Sequence, residues 1–258
     1  MNPSLDRRTF LGVTAGAVTG TLLGPAPLSA AGTSVRVRAV AFDAFPILDP
    51  RPVFALAEEL FPGKGFQLSN AWRMRQFEYT WLRTVAGRYA DFWQVTEDAL
   101  VVAARTLKLG LDSRRRERLM NAYLELKTWP DVPEALDSLK AARIRLAFVS
   151  NFSKRMLEAS IKNSALDGVF EHVLSTDEVR QFKPAPRAYQ MAVDAFGLTR
   201  DEIIFAAFAG WDAAGAKWFG FPTAWVNRLN SPVEQLSAVP DVTCSDMLGL
   251  VAFATSHR

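Results

Sequence analysis

Five residues in this chain combine reactive chemistry with a telling position. Asp43 closes the apolar run VRVRAVAF, Ser150 and Asn151 close IRLAFVS, Lys183 sits in QFKPAP, and Asp212 sits in FAGWDAAGA. One carboxylate can serve as nucleophile, a hydroxyl and an amide can hold an anionic group, an ammonium can balance charge, and a second carboxylate can accept a proton. Histidine chemistry is nearly closed to this protein. Its two histidines, His172 and His257, exclude an HExxH zinc site and leave little room for a Ser/His/Asp triad. Cys244 is the sole cysteine, so there is no disulfide framework. An enzyme built from this chain must work with carboxylates, Lys and Arg.

Such residues cooperate only if the fold brings them to one edge. The segments 35–42, 144–150, 172–175, 203–208 and 222–227 are short apolar runs that read as strands. Amphipathic patterns over 132–142, 155–163, 188–196 and 212–219 read as helices between them. This alternation predicts an α/β fold: a Rossmann-like, doubly wound parallel sheet with helices on both faces. Residues 54–129 break the order with three or four helical patterns and no convincing strand, which predicts a helical cap inserted into a core formed by 32–53 and 130–258. In open parallel sheets ligands bind at the carboxyl ends of the strands, and all five residues fall at or just after such ends. The 258 residues suit one large domain or a domain with an insertion. With 49% hydrophobic and 22% charged residues, a disordered or collagen-like chain is excluded. The formal charge of +3 is small, which argues against a nucleic-acid partner.

Each candidate also has a plainer reading. Asp43 could be a solvated strand-end acid and Lys183 a turn cap, although Phe182 and Pro184 place that lysine in a short stiff loop. Asp212 could cap the following helix. Arg73 has Ser69, Asn70, Gln76 and Phe77 three and four positions away, none of them a carboxylate, whereas Arg75 has Glu78 at i+3 and reads as a structural pair. Trp72, Trp81, Phe92 and Trp211 read as core, and His172 as structural.

The first 31 residues read as a signal peptide rather than as part of the fold. DRRTFLG, with paired Arg7 and Arg8, precedes a weakly apolar run from Val13 to Leu23, and Ser29-Ala30-Ala31 offers small residues for cleavage. The pattern resembles a twin-arginine export signal, which predicts a periplasmic or secreted protein beginning near Gly32, without stable membrane association after cleavage. The apolar run is shorter than the ~20 residues an uncleaved anchor needs.

The motifs from about Val37 to Val251 resemble the haloacid dehalogenase superfamily, and within it the L-2-haloacid dehalogenase (type II) branch. They include ELFPGKG, WRMRQFEYTWLRTVAGRYADF, VSNFS, FKPAPRAYQMAVDAFGL and GWDAAGAKWFGFPTAWVNR. The resemblance implies that Asp43 is the nucleophile, that Arg73 binds the departing halide and substrate, and that Ser150 holds the substrate carboxylate. It implies that Asn151, Phe92 and Trp211 line the halide and substrate pocket, with Phe45 also facing substrate. It further implies that Lys183 balances the nucleophile's charge and that Asp212 helps activate water. The substrate would be a short 2-haloacid and the reaction would need no cofactor or metal; a homodimer is left open.

Chemistry within the superfamily separates two activities. A phosphatase must protonate an alkoxide and normally carries a second Asp two residues after the nucleophile; here that position is Phe45, and the fourth loop offers Asp212 alone toward Mg²⁺. A halide leaves as a stable anion and needs no proton. The chain also departs from the resemblance. The Gly-Thr that normally follows the nucleophile is replaced by Pro46-Ile47 in a loop one residue shorter, which removes a steadying hydroxyl, and the Ser and Asn of the fourth loop correspond to Ala207 and Ala209. These changes bear on ester hydrolysis. A Mg²⁺-dependent phosphatase and a catalytically silent exported carboxylate-binding protein stand as alternatives.

Overall fold

The computed structural model describes residues 36–257; the signal-peptide expectation for residues 1–31 lies outside them. Six parallel strands form one sheet: β1 (Ala39–Phe42), β2 (Arg145–Ser150), β3 (His172–Ser175), β4 (Ile203–Ala207), β5 (Thr223–Val226) and β6 (Val242–Cys244). Their spatial order is β3-β2-β1-β4-β5-β6. The expected doubly wound sheet is therefore present, with one strand more than the sequence suggested. β6 has no apolar run to reveal it: VTC is a partly exposed edge segment that pairs Ala224–Val226 with Val242–Cys244. The first strand also begins at Ala39 rather than at Val35.

Strands β1, β4 and β5 are buried along their whole length, as a parallel sheet covered on both faces requires. Successive residues still point to opposite sides. Val40, Phe42, Leu146 and Phe148 face one apolar cluster, which also receives the inserted helices. Ala39, Ala41, Ala147 and Val149 face the other, against Tyr189, Ala192 and Phe196 of α8 (Pro186–Phe196) and Ala213 and Ala216 of α9 (Gly210–Phe219). On the first face lie α6 (Val132–Ala141) and α10 (Met247–Ser256), while α7 (Lys154–Asn163) packs beside β3. Helix α10 has no charged residue to outline a polar face, which hid it from periodicity; its start is marked by Asp246, which accepts the Gly249 N–H at 3.1 Å.

A four-residue turn, α1 (Ala44–Ile47), follows β1 directly, and helices α2 (Arg51–Leu60), α3 (Gly65–Val85), α4 (Phe92–Thr106) and α5 (Ser113–Ala122) fill the insertion before α6. The insertion's first helix starts at Arg51, three residues ahead of the expected Phe54, with Pro52 in its first turn, where a missing N–H costs nothing. Asp91 and Asp112 cap α4 and α5 by accepting the N–H groups of Gln94 and Arg115, each at 2.8 Å. Helices α3 and α4 are joined through Thr96: its carbonyl accepts the Trp72 indole N–H at 2.7 Å and its hydroxyl accepts from Gln76 Nε2 at 2.7 Å. Trp72 is thus a core residue, as read. Among the described residues no helix is long and apolar enough to cross a membrane.

Candidate active site

The strand order reverses direction between β1 and β4, and there the carboxyl ends of adjacent strands carry diverging connections. Phe42 lies in register with both Phe148 and Ala206, so Asp43 emerges between the ends of β2 and β4, with its own N–H on the Ala206 carbonyl at 3.0 Å. The loops after β2, β3 and β4 converge on it.

Lys183, only 1% exposed, places Nζ between two carboxylates, 2.8 Å from Asp43 Oδ1 and 2.7 Å from Asp212 Oδ2. Burial alone would lower the lysine, but the charges of Asp212 and Asp43 and their hydrogen bonds outweigh it and hold the ammonium above its ordinary range. Asp212, also 1% exposed, is pushed up to about 6. Burial is the main cause; the Lys183 charge opposes it, and the charge of Asp43 adds to it. Two carboxylates thus share one ammonium.

The plainer reading of Asp212, as a cap of α9, does not hold. Ala209 occupies the cap position with no side-chain bond, and Asp212 lies in the first turn with its carboxylate turned toward Lys183. Its other oxygen accepts the hydroxyl of Tyr189 at 2.7 Å. Tyr189 is fully buried and held well above the ordinary phenol range, by burial first and by the Asp212 charge second. The sequence reading missed this residue, although a helix-borne tyrosine six positions beyond Lys183 must find a partner for its hydroxyl once buried. Gly215 makes the arrangement possible, because a Cβ there would lie 2.5 Å from the Tyr189 hydroxyl and 2.6 Å from Pro184.

In front of this charged group opens a cavity of about 410 Å³, within the range of small-molecule sites. Asp43, Phe45, Arg73, Phe92, Ser150, Asn151 and Trp211 all line it, so every candidate is brought to one place; Lys183 and Asp212 stand behind the nucleophile rather than on the wall. The second oxygen of Asp43 is held by the main chain alone, through the Phe45 N–H at 3.4 Å. Ser150 Oγ accepts the Phe152 N–H at 3.1 Å, and Asn151 Oδ1 accepts the Lys183 N–H at 3.0 Å, which ties the lysine loop to the end of β2.

The wall is strongly aromatic. Phe45 packs edge-on against Phe152 at 5.2 Å and against Phe208 at 5.5 Å, while Trp211 meets Phe77 and Trp81 at 5.1 and 5.6 Å. Trp81, read as core, therefore shares in the wall, as do Gln76, Tyr123 and Phe152, which sequence reasoning did not single out. Burial raises the Tyr123 phenol to about 12, against the opposing effects of the Gln76 hydrogen bond and the Arg73 charge. Among the described residues Arg73 has no ion-pair partner, whereas Arg75 pairs with Glu78 at 2.6 Å as expected. An unpaired guanidinium on an apolar wall is suited to receive an anion. His172 packs edge-on against Phe196 at 5.2 Å and does not line the cavity.

The insertion also grips the lysine loop. Thr84 Oγ1 accepts the Phe182 N–H at 3.0 Å, Tyr89 stacks on Phe182 at 5.1 Å, and the Tyr89 hydroxyl donates to Asp177.

Comparison with known proteins bears on this geometry. Residues 18–220 match the family described as haloacid dehalogenase-like hydrolase. The (S)-2-haloacid dehalogenase of Pseudomonas sp. (strain YL) is 41% identical over 83% of this chain and 93% of its own length, and the haloacetate dehalogenase H-2 of Moraxella sp. (strain B) is 38% identical over 84% and 97%. Among solved structures, the L-2-haloacid dehalogenase from Xanthobacter autotrophicus superposes with a TM-score of 0.78 at 33% identity, covering 85% of this chain and 98% of that one. The same protein has been solved with chloropropionic acid covalently bound.

Proposed function

The chain belongs to the haloacid dehalogenase-like hydrolases, and we propose that within this family it cleaves the carbon–halogen bond of a short 2-haloalkanoic acid through an ester on Asp43. The observation that carries the reading is the cavity's pairing of a carboxylate backed by a buried ammonium with an unpaired guanidinium on an aromatic wall. Relatives named (S)-2-haloacid dehalogenase and a neighbour holding a covalently bound haloacid support it.

In the first step an Asp43 oxygen attacks the carbon bearing the halogen. A carbon–oxygen bond forms as the carbon–halogen bond breaks, and the halide departs with its electron pair. Arg73 and Asn151 receive the halide and the substrate carboxylate, Ser150 supports that carboxylate, and Phe45, Phe92 and Trp211 exclude water around them. The apolar wall strengthens these interactions by lowering the local dielectric. In the second step water attacks the ester carbonyl and Asp212 takes one of its protons; the bond from the carbonyl carbon to the ester oxygen then breaks, that oxygen takes the water's second proton, and the 2-hydroxyacid leaves with Asp43 regenerated as a carboxylate. Both Asp212 oxygens already accept one hydrogen bond, but each retains a second lone pair for that water. Lys183, hydrogen-bonded to Asp43 Oδ1, balances the charge of the free carboxylate and keeps it oriented.

Phe45 weighs against the phosphatase alternative: its ring is packed into the aromatic wall, where a general acid would have to stand. No metal is required by the proposed steps. Halide release from a 2-haloacid in the presence of chelator, with no phosphate released from a generic ester when Mg²⁺ is added, is the expected result. A mass increase by the acid fragment, lost in Asp43→Asn, locates the ester. Binding of haloacid without halide release would instead establish the silent binding protein.

Export belongs to the same proposal. The DRRTFLG segment supports it. The enzyme would act in the periplasm or outside the cell.

A further inference from the structure

We propose that Arg228 and Trp129 are positioning residues for the nucleophile, because they hold from outside the turn that aims the Asp43 carboxylate. The inference rests on the reading of Asp43 as the nucleophile given above. A four-residue helix cannot satisfy its own carbonyls. In α1 only Ala44 is served internally, by the Leu48 N–H at 2.8 Å. The Trp129 indole N–H donates to Phe45 at 3.0 Å and to Leu48 at 3.1 Å, and the Trp129 main-chain N–H donates to Ile47 at 3.1 Å. Arg228 supplies the remaining one, donating to the Pro46 carbonyl from Nη2 at 2.9 Å and from Nε at 3.3 Å. Every carbonyl from Ala44 to Leu48 thus has a donor, and all but one come from these two residues.

The donors are themselves fixed. The Trp129 ring is contacted by two guanidinium groups, Arg51 at 4.4 Å and Arg228 at 4.6 Å. Arg228 also donates to Asp131 at 3.0 Å, whose other oxygen accepts the Met247 N–H at 2.8 Å. The Arg228 side chain is only 6% exposed, and neither it nor Trp129 lines the cavity, so any effect on the reaction must pass through the turn. The link is short. Asp43 precedes the turn, and the Phe45 N–H inside it is the group that holds Asp43 Oδ2.

The test uses the full chain with Arg228→Met, which keeps much of the side-chain volume and removes both donors. Arg145→Met is the control: it loses the Glu171 pair and the contact with Phe196, neither of which touches the turn. Amide hydrogen exchange at Phe45 and Leu48, without substrate, should accelerate at least several-fold in Arg228→Met and stay at the wild-type rate in Arg145→Met. Single-turnover ester formation should fall about tenfold, because displacement of a reacting group by about 1 Å can cost 10²-fold, while KM changes less than twofold. Should Arg228→Met fail to fold, Trp129→Phe removes only the indole donor and is expected to shift both readouts in the same direction. Unchanged exchange at both amides together with ester formation within twofold of wild type would overturn the assignment. A wild-type protein that never labels at Asp43 would overturn the proposed function instead, and the exchange measurement would then decide the clamp by itself.

Discussion

Replacing Lys183 by methionine removes the one cation between the buried Asp212 carboxylate and the half-buried Asp43 carboxylate while nearly preserving side-chain volume. Nζ sits 2.8 Å from Asp43 and 2.7 Å from Asp212, and both Lys183 and Asp212 are 1% exposed, so bulk solvent does not replace the lost charge. Breaking a buried pair by removing one partner typically costs about 3–5 kcal/mol, because an uncompensated charge stays inside. Here the cost depends on pH. Asp212 already has its pKa raised to about 6, above its unfolded value, so the folded state binds the extra proton between the two values and wild-type stability falls as pH rises through that window. Without Lys183 the upper edge of the window moves higher, and each further unit adds about 1.4 kcal/mol of loss above it. At pH 5 Asp212 carries its proton and adds no buried charge, so the variant should lose only about 1–2 kcal/mol, the scale of one buried hydrogen bond. At pH 8 the loss should reach about 3–5 kcal/mol. Urea unfolding at both pH values measures it, and Lys183→Met/Asp212→Asn should recover most of the loss at pH 8. Equal losses at the two pH values, or no recovery in the double variant, would refute the shared-ammonium account.

Ester breakdown should slow at low pH, because a protonated Asp212 cannot accept a proton from water, and the break should fall below about 6 because the esterified Asp43 no longer carries the charge that helps raise Asp212; pre-steady-state halide and product traces recorded against pH check this. If Ala207 and Ala209 leave that water poorly held, halide release should show a burst followed by a slow phase, and Ala207→Ser/Ala209→Asn should speed the slow phase roughly tenfold, below the ~10² that one well-placed donor can contribute. A wild-type trace that is linear from the first turnover, with no gain in the double variant, would count against it. Replacing Arg7 and Arg8 by Lys should retain the protein in the cytoplasm in a cell-fractionation experiment, and undiminished export would remove the twin-arginine reading.

The arrangement of strands was legible in the sequence because burial on both faces leaves near-continuous apolar runs, and β1, β2, β4 and β5 have them. Asp43, Ser150, Asn151, Lys183 and Asp212 could be found for a related reason: a polar residue just past such a run stands at a strand end, where open parallel sheets keep their ligands. Arg73 could be singled out from the absence of a local carboxylate partner, and Arg75 set aside by the presence of one. What the chain order could not reveal was which groups would meet across it. Tyr189 approaches Asp212 only where Gly215 leaves room, and the carbonyls of the nucleophile turn are completed by Trp129 and Arg228, the latter 182 positions away from Pro46. Hydrogen bonds of this kind carry no periodicity, because a donor need only arrive within reach, from anywhere along the chain. The sheet edge, read from local pattern, therefore determined where the chemistry sits, and long-range packing decided how each reactive group is aimed, charged and kept dry.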